Sequence, residues 1–150
     1  MPHFTLQVGP NGPVVDALVA VSSARLAALR IANEAVPAPV AIRALIDTGA
    51  SNTCIEPSVL QSLHLSPTGQ ISVTTPTTGG TPMQCDQYDV GILIPSGSSA
   101  SPFMDGTVMV MAAQPSSLHQ QGIQGLIGRA ILSKCLLQYN GDMGFFTLAY

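Results

Sequence analysis

The chain has 150 residues, of which 46% are hydrophobic and only 9% are charged, and its net charge is −3. This length fits one domain, and the apolar fraction is ample for a buried core. The five Lys and Arg residues are scattered singly, so no basic stripe exists to neutralise phosphates, and nucleic acid is excluded as an expected partner.

The N-terminal segment indicates the compartment in which we expect the protein, and the cysteines indicate whether we expect a disulfide or a metal site. The first residues lack the basic start and apolar run of a signal peptide. The apolar stretch 14–21 is too short to span a bilayer and contains Asp16, so we expect a cytoplasmic protein without a membrane contact. Cys54, Cys85 and Cys135 are widely spaced and odd in number, which favours free buried thiols over a disulfide or a metal site. Neither a metal nor an organic cofactor is predicted.

The first elements are two strands and a helix. Residues 4–8 and 14–21 predict strands on either side of a Pro-Asn-Gly-Pro turn. Leucines and alanines over 22–33 then predict a short helix, with Ser22 or Ser23 as its N-cap.

The middle of the chain is predicted to contain a strand, a helical turn and a long hairpin. Residues 40–46 have β character, and 56–63 predict one or two helical turns with proline in the first turn. Apolar residues alternate along 83–94, which is typical of a half-buried strand. Together with 71–75 it predicts a hairpin whose tip lies at 76–82.

The last third continues the β pattern. Residues 95–106 predict a Ser- and Gly-rich loop and 107–112 a strand, and after another predicted loop 122–126 form a further short strand. A short helix is predicted around 130–133. The chain closes with a predicted hairpin, whose arms at 136–139 and 144–148 flank an Asn140-Gly141 turn. No internal repeat or linker is present, so residues 1–150 are predicted to form one mostly-β domain.

The segment around Asp47 carries the strongest chemical signal. Apolar residues lead directly into this acid, and a hydroxyl residue, a glycine and a small residue follow it. A carboxylate at the end of a buried strand costs free energy unless it is hydrogen-bonded or takes part in chemistry. Gly49 permits a sharp turn beside it, so backbone and hydroxyl donors can reach the acid. An Asx-type turn that only closes the strand is the structural alternative.

A second segment, Gly-Leu-Ile-Gly-Arg-Ala-Ile-Leu at 125–132, places a glycine and an arginine between two apolar residues and a short helix. With the Asp-Thr-Gly segment and the hairpin between them, the chain resembles the retropepsin-like aspartic proteases, the family of retroviral proteases and their bacterial relatives. The resemblance covers residues 40–150. It implies a mostly-β, closed acid-protease barrel with short helices and one lobe per chain.

The resemblance assigns a role to each matching residue. It implies that Asp47 is the catalytic acid, that the Thr48 hydroxyl links two active-site loops, and that Gly49 approaches the substrate backbone. Ile127 and Gly128 are expected to pack behind the loop, and 77–81 is expected to form the tip of a flap. The residues implied to contact substrate are Ala50, Ser51, Gly79, Gly80 and Ile127.

Three features depart from the family pattern. Ser51 stands where retroviral relatives have a second acid that pairs with the arginine, which predicts that Arg129 lacks its usual partner. Ala130 replaces a polar residue that commonly follows that arginine. Residues 22–39 are predicted to be a helical insert that the shortest family members lack.

The chemistry requires two carboxyl groups, because one must take a proton from water while another, still protonated, polarises the peptide carbonyl. The sequence contains one Asp-Thr-Gly and no Asp-Ser-Gly. The second acid is therefore predicted to come from another copy, across a two-fold axis between two Asp47 residues. The apolar C-terminal segment 145–150 fits a strand-mediated interface. The prediction is a homodimeric aspartic endopeptidase that acts on peptide or protein substrates.

Two alternatives remain open from the sequence. The same fold could serve as a catalytically silent binding or dimerisation module, although a scaffold has no physical need to keep an intact Asp47-Thr48-Gly49 set. An unrelated β-barrel binding protein with a chance motif is the other alternative, and assembly about a two-fold axis would argue against it.

Overall fold

The computed structural model of the chain describes residues 2–74, 79–94, 103–110 and 117–150. Strands dominate these residues, and the helices are short. The strands are β1 (His3–Gln7), β2 (Val14–Val21), β3 (Val40–Ile46), β4 (Thr53–Ile55), β5 (Gly69–Val73), β6 (Met83–Leu93), β7 (Phe103–Val110), β8 (Gly125–Ile127), β9 (Leu136–Asn140) and β10 (Phe145–Ala149). The helices are α1 (Ser23–Ile31), α2 (Pro57–Ser62), α3 (Ser117–Gln120) and α4 (Arg129–Leu132).

A closed barrel forms the body of the molecule. Seven strands follow the order β2-β3-β8-β4-β7-β6-β5, and β2 also pairs with β6. Six strands therefore close into a ring, and β5 extends from β6 outside it. Most neighbours are antiparallel, but β3 runs parallel to β8 and β4 runs parallel to β7. The mostly-β closed barrel expected from the sequence is confirmed.

The core lies inside this barrel because its strands alternate between buried and outward-facing residues. Along β2, every second residue from Val15 to Val21 is buried, as the period-two geometry of a strand requires. Helices α2 and α4 bury Leu60 and Ile131 against the same core. Of the described residues, no helix is long and apolar enough to cross a bilayer.

A separate three-stranded sheet joins the two ends of the chain in the order β1-β10-β9. Its central strand, β10, buries Phe146 and Leu148 completely and pairs along its whole length on both sides. Both hydrogen-bonding edges of β10 are occupied within the chain, and the strand-mediated interface expected for 145–150 stays a prediction.

Several local predictions are confirmed. The bounds of β2 and β3 are those predicted. Helix α1 begins after Ser22, whose Oγ accepts a hydrogen bond from the backbone N–H of Arg25 at 3.3 Å. Helix α2 starts at Pro57, where the missing N–H costs nothing. The predicted hairpin corresponds to the antiparallel pair β5–β6.

Three local predictions are corrected. Strand β7 begins at Phe103, inside the predicted loop 95–106, because it continues its pairing with β6 up to Leu93. Helix α3 replaces part of a predicted loop. The turn of the closing hairpin is longer than the predicted Asn-Gly pair, since Asn140 still pairs with Phe145 and its Oδ1 accepts from the N–H of residue 143 at 3.0 Å.

Candidate active site

Asp47 lies where two parallel strands end side by side. Strand β3 pairs with β8 so that Ile46 lies opposite Ile127. The next residue along β3 is Asp47, and its backbone N–H donates to the carbonyl oxygen of Ile127 at 3.0 Å. Parallel pairing of strands from distant parts of the sequence thus brings the Asp-Thr-Gly segment and the Gly-Arg segment together.

Backbone donors hold the Asp47 carboxylate. Its Oδ1 accepts from the N–H of Gly49 at 2.9 Å and from the N–H of Ala50 at 3.2 Å. A Cβ atom on Gly49 would lie 3.1 Å from this same oxygen, so glycine allows the chain to fold tightly around the acid. Hydrogen bonds to the charged form stabilise a carboxylate. Both bonds reach Oδ1, and no hydrogen bond from the described residues reaches Oδ2.

Gly128 allows the Gly-Arg segment to pack closely against the loop that follows Asp47. A Cβ atom there would contact the carbonyl oxygen of Asn52, and would lie 2.6 Å from its carbonyl carbon and 2.9 Å from the carbonyl oxygen of Ala50. The close approach permits three hydrogen bonds between the segments. They run from the N–H of Gly128 to Thr53 Oγ1 (3.1 Å), from Arg129 to the Ala50 carbonyl (2.9 Å) and from Ala130 to the Ser51 carbonyl (3.0 Å).

The Arg129 side chain braces the loop from outside. Its Nη1 donates to the carbonyl oxygens of Thr48 at 2.7 Å and Gly49 at 3.2 Å. Its Nη2 donates to Ser51 Oγ at 2.7 Å. Arg129 therefore has carbonyl and hydroxyl partners in place of the acid that the family pattern would supply. A guanidinium has five N–H donors in a rigid, planar arrangement. Two carbonyl oxygens and a hydroxyl can therefore accept the hydrogen bonds that an acid accepts in the family pattern.

A cavity of about 550 Å³ lies in front of Asp47. Gly49, Ala50 and Ser51 line it, as does the β5 end of the hairpin, so part of the implied site is brought together. Six further lining residues were not assigned from the sequence: Asn52, Cys54, Ser72, Val73, Thr74 and Leu126. Asn52 and Cys54 are two residues apart, so the period of two into β4 was an available signal for them, because alternate residues of a strand share one face. Ser72, Val73 and Thr74 are consecutive and carry no such signal.

Other residues implied by the resemblance lie away from the cavity wall. Thr48 is exposed beside Asp47. Gly79 and Gly80 form the turn before β6 with φ angles of 59° and 84°, a conformation that glycine adopts readily. Ile127 is buried in the core. Residues 77–78 of the implied flap tip lie outside the described residues.

Cys54, which also lines the cavity, has a strongly shifted pKa. Burial raises the pKa of the Cys54 thiol to about 11, with smaller contributions from the neighbouring Cys85 and Asp47. The thiol is therefore neutral near pH 7 and is a weak nucleophile, since the thiolate is the reactive form. The described residues contain no group of three His, Cys, Asp or Glu side chains that could hold a metal ion. The carboxylate of Asp47 is the charged group that the cavity offers to a substrate.

Comparison with known proteins agrees with this geometry. The family model described as aspartyl protease matches residues 31–131. A retropepsin-like aspartic protease from Rickettsia conorii superposes with a TM-score of 0.57 at 16% identity, over 99% of this chain and 90% of that chain. The retroviral protease-like domain of Ddi1 from Leishmania major gives a TM-score of 0.40 at 9% identity, over 85% and 82%. No curated protein sequence matches the chain. The Rickettsia structure shows that the fold is retropepsin-like.

Proposed function

The chain belongs to the aspartyl protease family, and from this premise we propose that it hydrolyses peptide bonds as a homodimer in which each subunit contributes Asp47 to one shared site. The observation that carries the proposal is the Asp47 carboxylate itself. Two backbone N–H groups hold its Oδ1, and it faces a cavity of about 550 Å³. An acid that only closed a strand would need no such cavity.

The reaction needs a second carboxyl group at bonding distance from the same water. Within the described residues, Asp47 is the acid that lines the cavity, whereas Asp89 accepts from Thr107 Oγ1 and Asp105 accepts from the N–H of Ser23. A second copy of Asp47 supplies the missing group with matching geometry, because a two-fold axis repeats the loop. The two carboxyls cannot both ionise when they are close, so they share one proton.

Proton transfer then depends on which of the two Asp47 carboxyls carries the shared proton. The ionised Asp47 takes a proton from water while the oxygen of that water bonds to the peptide carbonyl carbon. The protonated Asp47 gives its proton to the carbonyl oxygen, which yields a tetrahedral diol. Collapse of the diol breaks the carbon–nitrogen bond. The Asp47 that took the proton of water gives it to the leaving amine, and the other Asp47 takes a proton from a diol hydroxyl, which restores the shared proton. The bonds from Gly49 and Ala50 keep Oδ1 in place through these steps, so little reorganisation is needed.

Comparing Asp47→Asn with the wild type on an unstructured protein substrate tests the proposal. Asparagine keeps an oxygen for the bonds from Gly49 and Ala50 but cannot accept the proton of water, so hydrolysis should be lost while the fold persists. Asp142→Asn, an exposed substitution in the β9–β10 turn, is the matched control and should retain activity. Wild-type activity in Asp47→Asn would refute the mechanism.

Two further measurements separate the enzyme from a catalytically silent binding module. The rate per subunit should fall on dilution below the dimer dissociation constant, and the rate should be bell-shaped in pH, because one of two coupled carboxyls must be protonated. A peptide with a secondary hydroxyl in place of the scissile carbonyl should inhibit, since it resembles the tetrahedral intermediate. A silent module would bind peptide with no turnover at any pH.

A further inference from the structure

A groove runs between α1 and the loop that joins α2 to β5, and three adjoining cavities form it. The first cavity, of about 140 Å³, shares Arg25 and His64 with the second, of about 410 Å³. The second cavity shares Ser22 and Asp89 with the third, of about 340 Å³. Among the described residues, none that lines these cavities also lines the cavity in front of Asp47. The groove is therefore a separate feature of the surface.

Two basic side chains lie in the middle of this groove. Arg25 and His64 each line the first and the second cavity. Within the described part of the chain, neither side chain has a hydrogen bond or an ion pair with another residue. The acids lie towards the ends, since Glu34 lines the first cavity, Asp105 the third, and Asp89 the second and the third. The two basic groups are therefore available to an acidic ligand.

The acids at the far end of the groove already have donors from the protein. The Asp89 carboxylate accepts from the Thr107 hydroxyl at 2.8 Å. The Asp105 carboxylate accepts from the backbone N–H of Ser23 at 2.8 Å, and this N–H lies in the first turn of α1, where backbone donors have no partner within the helix. Asp105 thus stabilises the start of α1, whereas no comparable structural contact explains Arg25 or His64.

The backbone of His64 shows that the local fold does not require this side chain. Its φ angle is 52°, in the left-handed region, and it directly follows Leu63, the C-cap of α2. Glycine is the usual residue at such a position, because a Cβ atom is unfavourable there. Asparagine also adopts this conformation, so it can replace His64 without loss of the fold.

Strand β5 connects the groove to the cleft in front of Asp47. Residues 65–68, immediately before β5, line the second cavity, and 72–74, at the other end of β5, line the cleft. The distance from Thr68 to Ser72 is about 13 Å, because a strand rises about 3.3 Å per residue. The outer edge of β5 is not paired with another described strand. A polypeptide that leaves the cleft along β5 can therefore reach the groove within about four residues.

We propose that this groove is a second contact for the substrate, in which Arg25 and His64 bind an acidic side chain about four or more residues away from the segment in the cleft. The proposal rests on the proposed function, since it requires a polypeptide in the cleft. A carboxylate can accept hydrogen bonds from the planar guanidinium and from the imidazole ring. An extended peptide suits an open, elongated groove, whereas a small anion would fill only its middle.

Peptide binding to the inactive Asp47→Asn protein tests this contact apart from catalysis. Two labelled, otherwise neutral peptides are compared by fluorescence anisotropy, one with glutamate about six residues to either side of its centre and one with glutamine there. The glutamate peptide should bind about fivefold more tightly, as expected for an exposed ion pair, and Arg25→Ala should remove this preference. Arg30→Ala is the matched control, because Arg30 lies on the same helix and lines none of the three cavities.

Reversal of the charge gives a result that loss of the fold cannot produce. With Arg25→Glu, a peptide with lysine at the tested positions should bind more tightly than the glutamate peptide. His64→Asn should keep the fold and weaken the glutamate preference in part. In the active enzyme, the glutamate should lower KM about fivefold and leave kcat unchanged, because the groove lies away from the reacting atoms.

The outcomes separate this inference from the proposed function. Equal binding of the glutamate and glutamine peptides, or a preference that persists in Arg25→Ala, would overturn the groove contact and leave the peptidase intact. Binding of inorganic phosphate through Arg25 without any glutamate preference would assign the groove to a small anion and also overturn the proposal. A wild-type protein that prefers the glutamate peptide but hydrolyses no peptide would refute the peptidase and leave the groove as a peptide contact.

Discussion

Replacing Gly128 by alanine should damage both stability and activity, although it adds a single methyl group. The new Cβ would lie 2.6 Å from the carbonyl carbon of Asn52 and 2.9 Å from the carbonyl oxygen of Ala50. These are backbone atoms, so no side-chain rotation can relieve the overlap. An ordinary contact needs about 1 Å more space, and the Gly-Arg segment must move away from the loop by about that distance.

The movement of the Gly-Arg segment away from the loop determines how much stability the substitution costs. Three hydrogen bonds of 2.9–3.1 Å join the two segments, and lengthening each by about 1 Å would break it. Each bond contributes about 1 kcal/mol to the free energy of unfolding, so we expect a loss of about 3 kcal/mol or more once packing strain is added. For a chain of this size the melting temperature should fall by about 6–12 °C. On the proposed function, a displacement of the Asp47 loop by about 1 Å should also cost about 100-fold in rate.

Thermal unfolding followed by circular dichroism and peptide hydrolysis at low temperature measure the two effects separately. Gly69→Ala in β5 is the matched control, because its Cβ would meet only Gln87 Oε1 at an ordinary 3.5 Å. The control should change the free energy of unfolding by less than about 0.5 kcal/mol. A Gly128→Ala protein that melts within 2 °C of the wild type would refute the packing argument.

Three further changes have defined outcomes. Thr53→Val keeps the side-chain shape but leaves the buried N–H of Gly128 without its acceptor, so urea denaturation should show a loss of about 1–3 kcal/mol. Arg129→Leu removes three bonds to the loop that follows Asp47 and should lower kcat about tenfold or more. Alkylation of Cys54 should be slow at pH 8 and accelerate until its pKa of about 11. Since the folded state holds that proton more tightly, its stability should be full below pH 9.0 and fall as pH rises through about 11.

Each of these changes has a control and an opposing outcome. Thr68→Val removes an exposed hydroxyl with a weak 3.4 Å bond and should be nearly neutral, so equal losses would contradict the role of Thr53. Ser51→Ala removes one of the bonds from Arg129, so it should lower kcat less than Arg129→Leu does. Cys54→Ala should abolish the loss of stability above pH 9.0, and its persistence would assign that loss to another group.

The sequence by itself determined the elements that depend on local pattern. The period of two predicted β2 and β3 with their observed bounds, and Ser22 and Pro57 marked the first turns of α1 and α2. The Asp-Thr-Gly segment marked Asp47 as the candidate acid, because an acid, a hydroxyl residue and a glycine after a buried strand are adjacent in the chain. Such signals survive in one sequence because burial of one face and turn formation are short-range effects.

The tertiary structure alone decided which distant residues meet. Strand β7 reaches back to Phe103 because β6 offers it a partner. Arg129 has carbonyl and hydroxyl acceptors in the loop after Asp47, and the sequence could not show what would replace its usual acidic partner. Strand β10 lies between β1 and β9, so both of its hydrogen-bonding edges are occupied within the chain and β9 lies at the edge of the sheet. These outcomes depend on pairing between strands far apart in sequence, and such pairing is set by the packing of the whole chain rather than by the pattern within one segment.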